Sequence, residues 1–543
     1  MGTAGNVTYA LTSRSEADVA TGAELTYSTN VTALQMANAI FGTGSVVTGA
    51  TFTGDTRSRG TFANGNALSP GTVPGDTGVI LSTGRIVDYT QSGGDPNRST
   101  QTSTDTNGPN NNAQFNALAG TNTFDAAILD VDFIPIGSVM SLNFTFSSEE
   151  FPEFATSQFN DTVGIWINGQ VVPVQIGTGK INVMNLSGTS NQNGFVSNMA
   201  DQFNTEMDGF TITLKVTIPV NPGVVNSLRI GIADVSDSQY DSNILIKADS
   251  AQTQLVAIGD QGTMFTGQTK TLDVLGNDVN NFIGVMVITH INGVAVVPGQ
   301  IVTLPSGDKI RLNADMTVTV FTDNDADKFN FTYTVKNLLG QTDVGIVTID
   351  TIPCFVAGTL IRTPRGEVPV EALKPGDLVE TLDDGPQPMR WIGRRLVVAK
   401  GAFAPVRIAP GTFGAHGALM LSPQHRVMVQ DRIAELLFGS AEVLVAAKDL
   451  VNGSSVQVVE GGWVEYVHIL FDRHQVVWSQ GLATESFLPG PQIAGNPEAE
   501  IAAEIRAIFP GIDLATGDGY SPAARRALKA HEARVLVAQG VAA

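Results

Sequence analysis

A chain of 543 residues is too long for one hydrophobic core, so three or four domains are expected. The formal charge of -21 sits almost entirely in residues 1–353, which hold 14 basic against 32 acidic groups, and this excludes nucleic acid and anionic membranes as natural partners. A single cysteine rules out an intramolecular disulfide, and no run of about 18 apolar residues is present to insert into a bilayer.

Met1 to Ala10 lacks a basic segment followed by an apolar one, so no Sec-type signal is read there. From residue 7 to about 250 the pattern has period two: GVILST (78–83), AAILDVDFIP (126–135), VMSLNFTF (139–146), VGIWING (163–169) and GFTITLKVTIPV (209–220) predict strands. Clusters of Gly, Asn and Asp separate them, and DTNGPNNNAQ (106–115) predicts a loop. Residues near 31–39 predict one short amphipathic helix. An antiparallel β-sandwich or jelly-roll accommodates such a run of strands. Residues 251–352 repeat the strand–turn–strand pattern in TLDVLGNDV, ITHINGVAV, GDKIRLNADMTVTVF and FNFTYTVKNLLGQTDVGIVTID, which predicts a second, smaller β-domain.

At Cys354 the pattern changes to short strands closed by Gly358, Gly366, Gly376 and Gly385. After Pro489 it changes again, and EAEIAAEIRAIF (498–509) and PAARRALKAHEARVLVA (522–538) have a helical period. The fold class is therefore mainly β with a short α-helical carboxy-terminal tail. The boundaries fall at 1–250, 251–352, 354–490 and 491–543.

Three resemblances refine this reading. FSSEEFPEFATSQFNDTVGIWING (146–169) and IADVSDSQYDSNILI (232–246) resemble the bacterial choice-of-anchor L domain, which implies a secreted or cell-surface location. The wording of 251–352 resembles cadherin-like or immunoglobulin-like repeats of bacterial adhesins and implies a small β-sandwich spacer. CFVAGTLIRT with VEALKPGDLVET, then LSPQHRVMV (421–429), then EYVHILFDRHQVVWSQGLATES (465–486), resemble the ordered blocks of Hint (Hedgehog/intein-type) domains. That likeness implies an all-β horseshoe-like fold in which the first residue, Cys354, is a nucleophile.

The residue types suit that chemistry. A thiol is the side chain most nucleophilic near neutral pH, and Cys354 lies next to the peptide bond it would attack, so no encounter has to be organised. The expected product is a thioester between Pro353 and the Cys354 sulfur, formed without a cofactor. His425 is expected to protonate the departing nitrogen, and Ser422 to hold the scissile carbonyl or orient the peptide. His468 is expected to orient the thiol or deprotonate it. His416 and His474 are read as structural. Splicing inteins end in His-Asn, whereas Glu485-Ser486 stands here, so only amino-terminal cleavage or transfer is expected. Pro353 stiffens the carbonyl under attack.

In the front domain Glu149, Glu150, Asp161, Asp234, Asp237 and Asp241 crowd on loops, which suits Ca2+, with a solvated scaffold as the alternative. Expected partners are surface or matrix proteins or glycans. Export without a Sec signal suggests a type I route, with VLVAQGVAA at the end as its signal. The rival reading is an adhesion protein whose Hint fold is inactive.

Overall fold

The computed structural model describes residues 19–99, 101–155, 157, 159–188, 190–264, 269–282, 284–322, 329–351, 354–400, 404–488, 499–512, 519–528, 532–533 and 535–536. Met1 to Ala10, Pro353 and most of the closing segment VLVAQGVAA lie outside them. The chain is mainly β and divides into two compact units. One takes in the described residues up to Asp260 with Thr271–Val320 and Phe329–Thr348, and the other takes in those of Gln261–Lys270 and Phe321–Lys328 and from Ile349 onward.

In the first unit the period-two runs become two large antiparallel sheets, one of eight strands and one of six. Thr123–Pro135 is central in the smaller, between Ser45–Thr53 and Asn226–Val235. Val139–Ser148 is central in the larger, beside Ser242–Lys247 and Leu214–Pro219. Leu129, Val131 and Phe133 of one sheet and Leu142, Phe144 and Phe146 of the other share a single buried cluster, which is the core of a sandwich. The expected helix spans Ala33–Ile40. It begins where Thr32 accepts from the Gln35 N–H at 3.2 Å while Gln35 Oε1 accepts from the Thr32 N–H at 2.8 Å, and it buries Met36, Ala37 and Ile40. The expected loop 106–115 differs at its end: the Asn112 side chain caps the Gln114 and Phe115 N–H groups and starts a helix at Ala113–Ala119, with Phe115 buried.

The region 251–352 is β as expected. Val287–Ile291 lies antiparallel to Phe329–Lys336, and Ile301–Thr303 to Lys309–Leu312. Its connection to the sandwich is not that of a free spacer. Lys215 Nζ lies 2.8 Å from Asp343 Oδ2, with side chains 2% and 0% exposed, and the same oxygen takes the Ala257 N–H at 2.8 Å. Lys215 also donates to the Ala257 carbonyl, and Ile346 joins the sandwich core.

The second unit holds a six-stranded and a nine-stranded sheet. Its tail begins with the helix Ala499–Ile508, as the periodicity predicts. The stretch from 522 opens without helix, while its described residues 532–533 and 535–536 are helical. Arg526–Ala527 pairs in parallel with Val443–Leu444, with Leu528 buried behind them. An unpaired strand edge next to an apolar slot outweighs a helical period in so short a segment.

Candidate active site

Cys354 stands at the head of the strand Phe355–Val356, which lies between Leu419–Leu421 and Trp463–Leu470. Phe355 pairs with Leu421 on one side and with Val467 on the other. The next step of each register brings Ser422 and His468 to the cysteine. Two hydrogen bonds close the first contact: the Cys354 N–H donates to Ser422 Oγ at 2.7 Å, and the Ser422 N–H donates to the Cys354 carbonyl at 2.9 Å. On the other side His468 Nε2 lies 3.3 Å from Cys354 Sγ.

His425 reaches the site through a turn. In Ser422-Pro423-Gln424-His425 the His425 N–H donates to the Ser422 carbonyl at 3.0 Å, and proline at the second position pre-sets the backbone for that reversal. The three-residue spacing of serine and histidine therefore folds both toward Cys354. The His425 ring packs on Phe355 at 4.1 Å between centroids, and both its nitrogens are buried with no hydrogen-bond partner among the described residues. Burial pushes its pKa from 6.5 down to about 4, against the opposing pull of the Glu485 carboxylate and of the Cys354 and Glu485 backbones.

All four predicted groups thus converge. Ser422 holds the Cys354 N–H, the arrangement expected of a group that orients the peptide by hydrogen bond. His468 is the imidazole on the sulfur. His425 is uncharged at neutral pH, so as a proton donor it offers a neutral ring N–H. The thiol is 1% exposed and shares an apolar cluster with Trp391, Tyr466, Leu470, Phe487 and Ile505 of the tail helix. The His468 ring forms a triangle with those of Trp391 and Phe487, at 6.4 and 5.3 Å between centroids, and Trp391 Nε1 donates to Glu504 Oε2 at 2.5 Å.

A second buried group lies behind His425. Glu485 accepts from the Arg426 N–H at 3.0 Å and from Arg426 Nη1 at 3.1 Å. Burial alone would raise its carboxyl, but Arg426, His474 and His425 bring it down to about 2. His474 accepts the Ala524 N–H on Nδ1 at 2.9 Å, so its proton sits on Nε2, 3.0 Å from the Ser486 carbonyl and 3.4 Å from Glu485. His474 therefore ties the tail to the Glu485 turn. Neither Arg426 nor the role of Glu485 follows from the sequence; the Glu485-Ser486 pair, flagged there as a departure, was the signal.

The depressed His425 predicts a pH effect on stability. The unfolded ring takes up a proton below about 6.5 and the folded one only below about 4, so stability is complete above pH 6.5 and falls by about 3 kcal/mol as pH drops to 4. Denaturant titrations of the parent and His425→Gln at pH 7 and 4.5 should show the variant losing most of that slope. Equal slopes would remove His425 as its source.

The six acidic side chains singled out for calcium do not form one shell, since no group of three or more His, Cys, Asp or Glu among the described residues is placed to hold a metal. Glu150, Asp161 and Asp234 are buried neighbours: Glu150 Oε2 takes the Asp161 N–H at 3.1 Å, and Asp161 Oδ1 takes the Val235 N–H at 3.0 Å. Burial raises all three, as does the charge of a neighbouring carboxylate on Glu150 and Asp234, and the Asp161 and Asp234 carboxyls hydrogen-bond each other. Asp237 is half-buried, and Glu149 and Asp241 face another group of residues.

Residues 353–491 match the Hint domain family model, and residues 24–252 match the Choice-of-anchor L domain model. No curated protein matches the chain. Among solved structures, the MchDnaB-1 intein is 13% identical over 24% of this chain and 98% of its own, with a TM-score of 0.17. Drosophila OTK extracellular domains 3-5 are 9% identical over 65% and 91%, with a TM-score of 0.15. The Bacteroides ovatus mixed-linkage glucan utilization locus protein SGBP-B, solved with a mixed-linkage heptasaccharide, is 11% identical over 58% and 90%, with a TM-score of 0.14.

Proposed function

From a Hint domain at residues 353–491 behind a choice-of-anchor L domain at residues 24–252, we propose that the chain is a secreted or cell-surface protein that cleaves itself before Cys354. The observation that carries this reading is the 3.3 Å contact of His468 Nε2 with the Cys354 sulfur, on a residue whose N–H is held by Ser422.

His468 takes the thiol proton as the sulfur attacks the carbonyl carbon of residue 353. The C–N bond then breaks. The nitrogen of Cys354, already hydrogen-bonded to Ser422 Oγ, gains the proton that the His468 imidazolium took from the thiol, passed through the neutral His425 ring, which accepts a proton on one nitrogen as it gives one from the other. One proton has moved in net terms from sulfur to nitrogen, and the amide has become a thioester plus a free amine. Water or an external nucleophile displaces the sulfur, restores the thiol and releases or transfers the portion ending at residue 353. At the other end, the Glu485 carboxylate, bound to Arg426, supplies no amide for the cyclisation that splicing requires.

One observation favours the rival reading of an adhesion protein with a silent Hint fold. The thiol is 1% exposed, and slow entry of water would preserve the intact chain. The two readings separate on incubation of the full chain with excess dithiothreitol and mass spectrometry. The expected result is a fragment ending at residue 353 from the parent and none from Cys354→Ala. A parent that stays intact with thiol, hydroxylamine or prolonged incubation overturns self-cleavage.

A further inference from the structure

The strand Val139–Ser148 leads into a buried group of oxygen-bearing side chains that carries negative charge and no counter-charge. Ser147 pairs with Asn243 across the sheet, and the Glu149 N–H continues that ladder to the Asp241 carbonyl at 3.2 Å. On the other side Ser148 pairs with Gly209, so one further step along the register brings Asp208 beside Glu149. Glu149 is 1% exposed and Asp208 2%, and among the described residues no Lys or Arg pairs with either. Burial first, and then the charge of Asp208, push Glu149 up to about 10; burial pushes Asp208 up to about 6.

Neutral polar side chains adjoin this ladder. Asn97 Nδ2 donates to Asp208 Oδ1 at 2.8 Å, and Asn243 Nδ2 donates to Met207 Sδ at 3.0 Å. Each amide has thereby committed its donor end. Asn97 Oδ1, Asn243 Oδ1, Ser147 Oγ and both Glu149 carboxyl oxygens are buried with no hydrogen-bond partner. These residues are 8%, 1%, 0% and 1% exposed.

A proton on Glu149 would discharge it but would leave the two amide oxygens unserved. Leaving buried acceptors unmade costs about 1–3 kcal/mol each. A hard cation serves all of them at once, because it takes carboxylate, amide and hydroxyl oxygens indifferently and needs six to eight ligands at ordinary Ca2+ distances. The neighbouring group of Glu150, Asp161 and Asp234 differs, since backbone N–H groups occupy one oxygen each of Glu150 and Asp161.

We propose that a divalent cation of the calcium type binds at the end of strand Val139–Ser148, held by the carboxylates of Glu149 and Asp208 and the side-chain oxygens of Asn97, Asn243 and Ser147. The test is calorimetric titration and thermal unfolding of the full chain after chelator treatment, with CaCl2 as titrant. The parent is expected to bind one ion in the range of about 10⁻⁴ to 10⁻³ M and to gain a few degrees of thermal stability. Glu149→Gln keeps the shape and removes the charge. It is expected to weaken binding at least about tenfold and, without metal, to unfold at or above the parent's temperature. Asn97→Ala, a loop substitution that leaves the strands intact, should weaken binding several-fold, while Asp234→Asn in the neighbouring acidic group should leave it unchanged. A parent that gives neither heat nor stabilisation up to about 10 mM Ca2+ overturns the proposal, as does Glu149→Gln binding as tightly as the parent.

Discussion

Replacing His468 by alanine is expected to slow thiol-induced cleavage by about a hundred to ten-thousand-fold, the usual worth of a general base or acid in place. Its Nε2 is 3.3 Å from the sulfur, closer than any other imidazole for which the structure gives a contact with Cys354. An unassisted thiol is only a few per cent ionised near neutrality, so attack would then depend on that small fraction. Two further readouts separate catalysis from packing, because the ring also rests against Trp391 and Phe487. The rate of His468→Ala should rise steadily with pH toward the thiol's own ionisation, and added imidazole should restore part of it. A variant that keeps the parent's rate and pH profile would remove His468 from the chemistry. His425→Ala should also slow the reaction while circular dichroism stays native, and its deficit should not respond to pH in the same way, since that ring is already neutral at pH 7.

The second large effect lies far from any chemistry. Asp343→Ala leaves the Lys215 ammonium and the Ala257 N–H without their acid partner in a place that is 2% and 0% exposed, which costs about 3–5 kcal/mol. In thermal unfolding this amounts to a fall of about ten degrees for a unit of this size. Pairing the change with Lys215→Met should recover most of the loss, because the penalty comes from the stranded charge more than from the lost pair. A single variant that unfolds within about one degree of the parent would mean that water reaches the ammonium and that the sandwich and the 251–352 region are joined by other contacts.

These two sites mark the limits of what could be read from residues alone. Alternation is a local property, so AAILDVDFIP and VMSLNFTF were recognisable as the strands Thr123–Pro135 and Val139–Ser148. The helix at Ala33–Ile40 was recognisable in the same way. The closing segment was legible only in part: 532–533 and 535–536 are helical, but Arg526–Ala527 answers a free strand edge at Val443–Leu444 that only the folded unit presents. Lys215 and Asp343 lie 128 residues apart, and nothing local to either announces the other. At the site, Cys354, Ser422, His425 and His468 were identifiable from their ordered blocks. The contact of His468 with the sulfur was expected there, but its distance depends on Phe355 pairing with Val467, a register fixed by the whole sheet. Glu485 was noticed as a missing His-Asn, but its hold on Arg426 and its influence on His425 needed the geometry.

The tail helix carries Ile505 into the same buried cluster as the Cys354 sulfur, and Glu504 anchors it to Trp391. Electrophiles in the medium therefore meet a roof before they meet a thiolate. The pace at which an alkylating probe modifies the native chain measures how often Ala499–Ile508 frays, and says little about the intrinsic appetite of the sulfur for carbon. A reactive atom shelved in this way keeps until the roof is disturbed, so its shelf life is a property of ten residues that take no part in making or breaking a bond.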